Sequence, residues 1–217
     1  LRVRGMLLNV PDVLQDEARA QKLVDEIRKV EGETGTMWRL HQARLWLTLP
    51  GWRERRAEIE TALKYCIDAD PQWPSPSLVL GGMYEQLLDW PAADRVYANG
   101  YRATSSVDLA DRWVAVLQRL QRFDEARDVL AQLRQVVNDR TLGARRLTLA
   151  MAAGQIDLAL TELELRVAGP ERDPRDLLRL AQLTYLQKND RVRAIELLTQ
   201  AAAQGANPAE VAYARVV

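Results

Sequence analysis

Residues Asp89–Tyr97 read DWPAADRVY, and the same arrangement returns at a constant interval. Arg122–Leu130 reads RFDEARDVL thirty-three residues on, and Gln155–Leu163 reads QIDLALTEL after thirty-three more. Each stretch has an apolar residue (Trp90, Phe123, Ile156), an alanine three places later and a large apolar side chain four places after that. Two antiparallel helices packed about 8–10 Å apart need a small side chain where their backbones come closest. Ala93, Ala126, Ala159 and Ala194 fit that place. Tyr97, Leu130, Leu163 and Leu198, one turn on along the same face, fill the space beside it.

The rest of the chain follows the same logic. Apolar residues recur three and four apart, and no alternating strand pattern bounded by turn pairs occurs. The spacing predicts helices over 12–30, 35–48, 53–68, 76–88, 92–104, 107–120, 124–137, 141–153, 156–168, 174–187, 191–204 and 208–216. The joints are short and carry Gly154, prolines and aspartates, which are helix stops and starts. Paired short helices on a period of 33–35 residues imply a helical-repeat array. The expected fold is all-α: a right-handed α-solenoid of antiparallel helix pairs, with no sheet.

The period and these residues resemble the tetratricopeptide repeat (TPR) family. In Ser77–Tyr97, Leu80, Gly81 and Tyr84 match the first-helix core, with Ala93 and Tyr97 following in the second helix. Ser77 replaces the family's usual tryptophan, which does occur at Trp38 in the unit before. There His41, Gln42 and Leu45 stand where leucine, glycine and tyrosine are usual, and Trp113, Val114 and Leu117 play those parts in the unit after. The stretch GARRLTLA (143–150) matches poorly, so its helix is expected to be atypical, and the unit of Leu180, Ala181 and Thr184 has one extra residue before Ala194. Pro71 and Pro208 fit the family's boundary proline. The units read as a partial 1–34, then 35–73, 74–106, 107–139, 140–173 and 174–207, and a partial 208–217: one solenoid segment, expected to belong to a longer bacterial-type protein.

Such an array presents a concave face lined by its first helices, suited to an extended peptide or a partner helix. Arg39, Trp46, Glu85, Gln86, Asp111, Gln118, Arg119, Arg145, Thr148, Met151, Arg179 and Gln182 are the residues expected there. Some members of the family grip a partner's C-terminal carboxylate with lysines and asparagines. The matching places here hold Leu78, Gly82, Arg112, Thr141 and Arg145, of which only Arg145 suits the task.

Chemistry is sparse. His41 is the only histidine and Cys66 the only cysteine, each at a core-type position, so neither a nucleophile–base pair nor a zinc cluster is expected. No phosphate-cradling loop occurs; Gly81 reads as a close-approach residue and Gly82 as slack beside it. Trp90 and Trp113 read as core, whereas Trp46, Trp52 and Trp73 are less fixed by the pattern. Thirty basic residues balance thirty acidic ones, so no overall field favours nucleic acid or an anionic membrane. No apolar run approaches the ~18–20 residues that span a bilayer. The expectation is a non-catalytic scaffold that binds a protein or peptide, without metal or cofactor. The alternatives are a docking arm of an enzyme whose catalytic domain lies outside this segment, and an envelope scaffold that forms homo-oligomers through its open ends.

Overall fold

The computed structural model describes residues 6–8, 10, 13, 16–169 and 173–216. The chain divides into two compact units, 1–120 and 121–217. The first holds α1 (Glu17–Glu31), α2 (Met37–Thr48), a 3-10 turn (Trp52–Arg55), α3 (Arg56–Ala69), α4 (Pro74–Gln86), α5 (Trp90–Thr104) and α6 (Val107–Arg119). The second holds α7 (Phe123–Gln132), a 3-10 turn (Leu133–Gln135), α8 (Asp139–Ala152), α9 (Ile156–Ala168), α10 (Pro174–Lys188), α11 (Arg191–Ala203) and α12 (Pro208–Val216). No strand occurs among the described residues.

Within each unit successive helices pack on one another. The alternate helices α2, α4 and α6 also touch in turn, as do α10 and α12. That is the contact pattern of stacked helix pairs, in which first helices form one layer and second helices another. The small residues sit where the sequence put them: Ala93, Ala126 and Ala159 have no exposed surface, and Ala194 is buried too. Tyr97, Leu130, Leu163 and Leu198 are buried beside them. Each large side chain so enclosed contributes about 1.5–3 kcal/mol of apolar transfer free energy. Trp90, Phe123 and Ile156, each the first residue of its helix, are half-buried.

The turns inside the pairs share one device. Leu88, Gln121 and Gly154, thirty-three residues apart, all take left-handed backbone at φ 57°, 59° and 66°. After Leu88, the Asp89 amide reaches back to the Tyr84 carbonyl at 2.9 Å, and the Leu88 amide to that of Glu85 at 3.0 Å. The Gln155 and Gly154 amides do the same to Ala150 and Met151 at 2.9 and 3.2 Å. These are the crossed bonds that satisfy the last carbonyls of a helix when the next residue turns left-handed. Asp89 then begins α5, its carboxylate accepting from the Ala92 amide at 3.2 Å. The extra residue before Ala194 is absorbed by α10, which runs to Lys188 and stops at left-handed Asn189.

Three boundaries depart from the sequence expectation. The helix expected over 12–30 runs as α1 from Glu17, where the Asp16 carboxylate accepts from the Arg19 amide at 3.0 Å; residues 12, 14 and 15 lie outside the described residues. The helix expected over 124–137 is α-helical only to Gln132 and tightens into a 3-10 turn before Val136 and Val137. Two β-branched residues oppose continuation, and the Asn138 side chain starts α8 by accepting from the Thr141 amide at 2.8 Å. The segment 53–68 opens with a 3-10 turn that buries Trp52.

Candidate functional site

In the first unit, α2, α4 and α6 carry Trp46, Glu85 and Gln118 at matching places near their ends. Glu85 is held from two sides: it accepts from the Tyr97 hydroxyl of α5 and lies 3.7 Å from the Arg112 guanidinium of α6. Burial, then the bond to Glu85, pushes the Tyr97 hydroxyl pKa well above its ordinary value. Arg112, at a clamp place of the resembled family, is thus engaged within the unit. Gln86 and Arg119 are exposed, Asp111 and Gln118 half-exposed. The Arg119 guanidinium lies 6.0 Å from the Trp90 ring centroid.

Trp46 and Arg39 border an open groove of about 500 Å³ between α2 and α3, walled by Trp38 and Tyr65. The Arg39 guanidinium stacks over the Trp38 and Tyr65 rings at 4.4 and 4.0 Å and donates to the Gly35 and Glu33 carbonyls, both at 2.5 Å. It braces the α1–α2 turn while facing the groove. Elsewhere on α2 His41 is 4% exposed, and its Nδ1 makes no hydrogen bond among the described residues. Burial, reinforced by nearby Arg44, lowers its pKa to about 4, so the ring is neutral at pH 7. Buried Cys66 donates to the Thr36 carbonyl at 3.2 Å, and burial raises its thiol pKa to about 11. Both side chains fill core positions, in states unsuited to nucleophile–base work.

In the second unit Arg145, Thr148 and Met151 follow one another along α8, with Thr148 donating to the Ala144 carbonyl at 3.0 Å. Arg179 and Gln182 lie on α10, the former exposed and the latter half-buried. The other flank of α8 carries what the sequence reading did not single out. Where α4, α6 and α10 place buried Leu80, Trp113 and Leu180, α8 places Arg146. Its guanidinium forks onto Glu162 of α9 at 2.7 and 3.1 Å. One turn on, Arg166 holds Asp176 of α10 with Nε at 2.9 Å and Nη2 at 2.6 Å, and donates to the Arg140 carbonyl at 3.1 Å. Asp176 is 3% exposed. The poor repeat match of GARRLTLA reflects Arg146 at a place that is apolar in the other units.

Two cavities flank Arg146 and Glu162. One, of about 330 Å³, lies among α7, α8 and α9; the other, of about 810 Å³, opens along the start of α8 toward Asp176. Among the described residues no cluster of histidine, cysteine or carboxylates is placed to hold a metal ion, and no helix is long and apolar enough to cross a membrane.

No family model matches the chain, and no curated protein matches it. Solved structures do. YrrB, described as a TPR protein with an unusual peptide-binding site, superposes with a TM-score of 0.60 at 16% identity, over 89% of this chain and 98% of its own. PilF of Pseudomonas aeruginosa gives 0.60 at 13% identity over 98% and 95%. A fragment of MamA from Desulfovibrio magneticus gives 0.56 at 17% over 80% and 96%. The chain has the tetratricopeptide-repeat fold. Identities this low establish architecture alone. Within the TPR fold, the ionic pairs of α8–α10 mark the helix pair of α8 and α9 as a departure from the apolar core of its neighbours.

Proposed function

We propose that the chain is a non-catalytic scaffold that holds an extended segment of a partner protein across its first helices. The observation that carries this reading is the side-by-side contact of α2, α4 and α6, which makes one layer with Trp46, Glu85 and Gln118 at matching places. Three helices in side-by-side contact offer an extended chain repeated purchase, without enclosing a small molecule. Arg39, Asp111 and Arg119 give this face both signs of charge and Gln86 adds a neutral amide, matching a partner segment of mixed charge. Arg145, Thr148 and Met151 on α8, with Arg179 and Gln182 on α10, are the corresponding candidates of the second unit. That YrrB is described as peptide-binding supports the class of partner without naming it.

Hydrogen exchange read by mass spectrometry tests the proposal, using a peptide selected from a random library on the intact chain. Slowed exchange at the ends of α2, α4 and α6 is expected. Protection confined to α3 and α5 would reject the face.

A further inference from the structure

The 330 Å³ cavity of the second unit has a composition that the partner-binding reading does not use. Its floor and walls are aliphatic: Leu142 and Leu149 of α8, Leu158 of α9 and Ala131 of α7. Its rim is cationic, with Arg127, Arg134 and Arg146 against the single carboxylate of Glu162. Two of those guanidiniums are already matched, Arg146 by Glu162 at 2.7 Å and Arg127 by Asp124. Arg134 makes no ion pair among the described residues, and it borders both cavities. It stands there because α7 ends early: the 3-10 turn Leu133–Gln135 buries Leu133 and carries Arg134 onto the rim.

An ionic pair stands where neighbouring units bury Leu80, Trp113 and Leu180, and with the Arg146 side chain 38% exposed it contributes little to stability. What it does provide is a fixed guanidinium at the meeting of an apolar chamber and a polar one. A cavity of this volume, at about 30 Å³ per water-sized group, holds on the order of ten non-hydrogen atoms. A leucine side chain has four. An unbranched acyl chain of medium length fills the space, and its carboxylate would then meet the cation that lacks a counter-charge.

We infer that the α7–α8–α9 cavity binds a medium-chain aliphatic carboxylate, with the chain among Leu142, Leu149 and Leu158 and the head group on Arg134 beside the Arg146–Glu162 pair. This site uses the opposite flank of α8 from Arg145, Thr148 and Met151, and it stands or falls independently of the partner face.

Calorimetric titration of the intact chain tests it with decanoate below its micellar concentration, with 1-decanol, and with a short peptide ending in a free leucine carboxylate. Arg134 is exposed and Leu158 is 44% exposed, so Arg134→Gln and Leu158→Glu leave the fold intact, which circular dichroism verifies. Saturable decanoate binding is expected, at least tenfold tighter than decanol and tighter than the peptide, weakened at least tenfold by either substitution and unchanged by Arg119→Glu. Equal binding of decanol, preference for the peptide, indifference to both cavity variants, or no binding at millimolar decanoate would overturn the assignment.

Discussion

The Tyr97 ring of α5 occupies the space that a Cβ on Gly81 of α4 would need. Gly82, next along the same helix, would place its Cβ no nearer than 4.0 Å from any such atom, the Tyr97 hydroxyl oxygen. Adjacent glycines therefore respond oppositely to one methyl group. Gly81→Ala forces the ring or the helix aside and costs about 1–3 kcal/mol. Gly82→Ala gains helix propensity and stabilises by up to about 1 kcal/mol. Urea denaturation of both variants checks the pair.

The left-handed turn residues supply a second paired test. Leu88 stands at φ 57° and is 69% exposed, so it bears the left-handed penalty with little burial in return. Leu88→Gly relieves about 1–2 kcal/mol of strain against about 0.5–1 kcal/mol of chain entropy, a small net gain. Gly154→Ala, at φ 66° in the equivalent turn, loses about 1 kcal/mol. Thermal melts should move in opposite directions.

His41 makes stability depend on pH. Its pKa falls from 6.5 to about 4 on folding, chiefly by burial, so the unfolded chain takes up a proton that the folded chain refuses. Stability is full above pH 6.5 and declines as pH drops toward 4, by a few kcal/mol at about 1.4 kcal/mol per unit. As His41 is the only histidine, His41→Leu should flatten denaturation midpoints between pH 6.5 and 5, above the range where carboxylates protonate.

The ionic core gives a contrast between buried and exposed pairs. Asp176→Asn leaves Arg166, whose side chain is 15% exposed, without its counter-charge, and costs about 3–5 kcal/mol. Glu196→Gln breaks the exposed pair with Arg193 and costs no more than about 1 kcal/mol. Chemical denaturation of the two variants separates them.

The architecture was legible because helix pairing leaves a periodic trace: Ala93, Ala126 and Ala159 declare the close approach whatever surrounds them. Gly81 and Gly82 were distinguishable as contact and slack from the helix register alone. The early end of α7 was hidden, since Val136 and Val137 continue the apolar rhythm and only the β-branched pair before Asn138 hints at a stop. The site was less legible than the fold. Arg146, Glu162 and Arg166 look like ordinary surface charge until the repeat register sets Arg146 level with Leu80, Trp113 and Leu180. Arg39, an expected groove residue, also braces the Gly35 and Glu33 carbonyls, a role that spacing does not reveal.

The central claim is that the layer of α2, α4 and α6 grips an extended partner segment. Its most direct test is the affinity of a library-selected peptide for the native chain and for a variant carrying Trp46→Ala and Arg119→Glu together. A loss of at least tenfold with an unchanged circular dichroism spectrum is the expected result. Equal affinity in the two proteins would contradict the account.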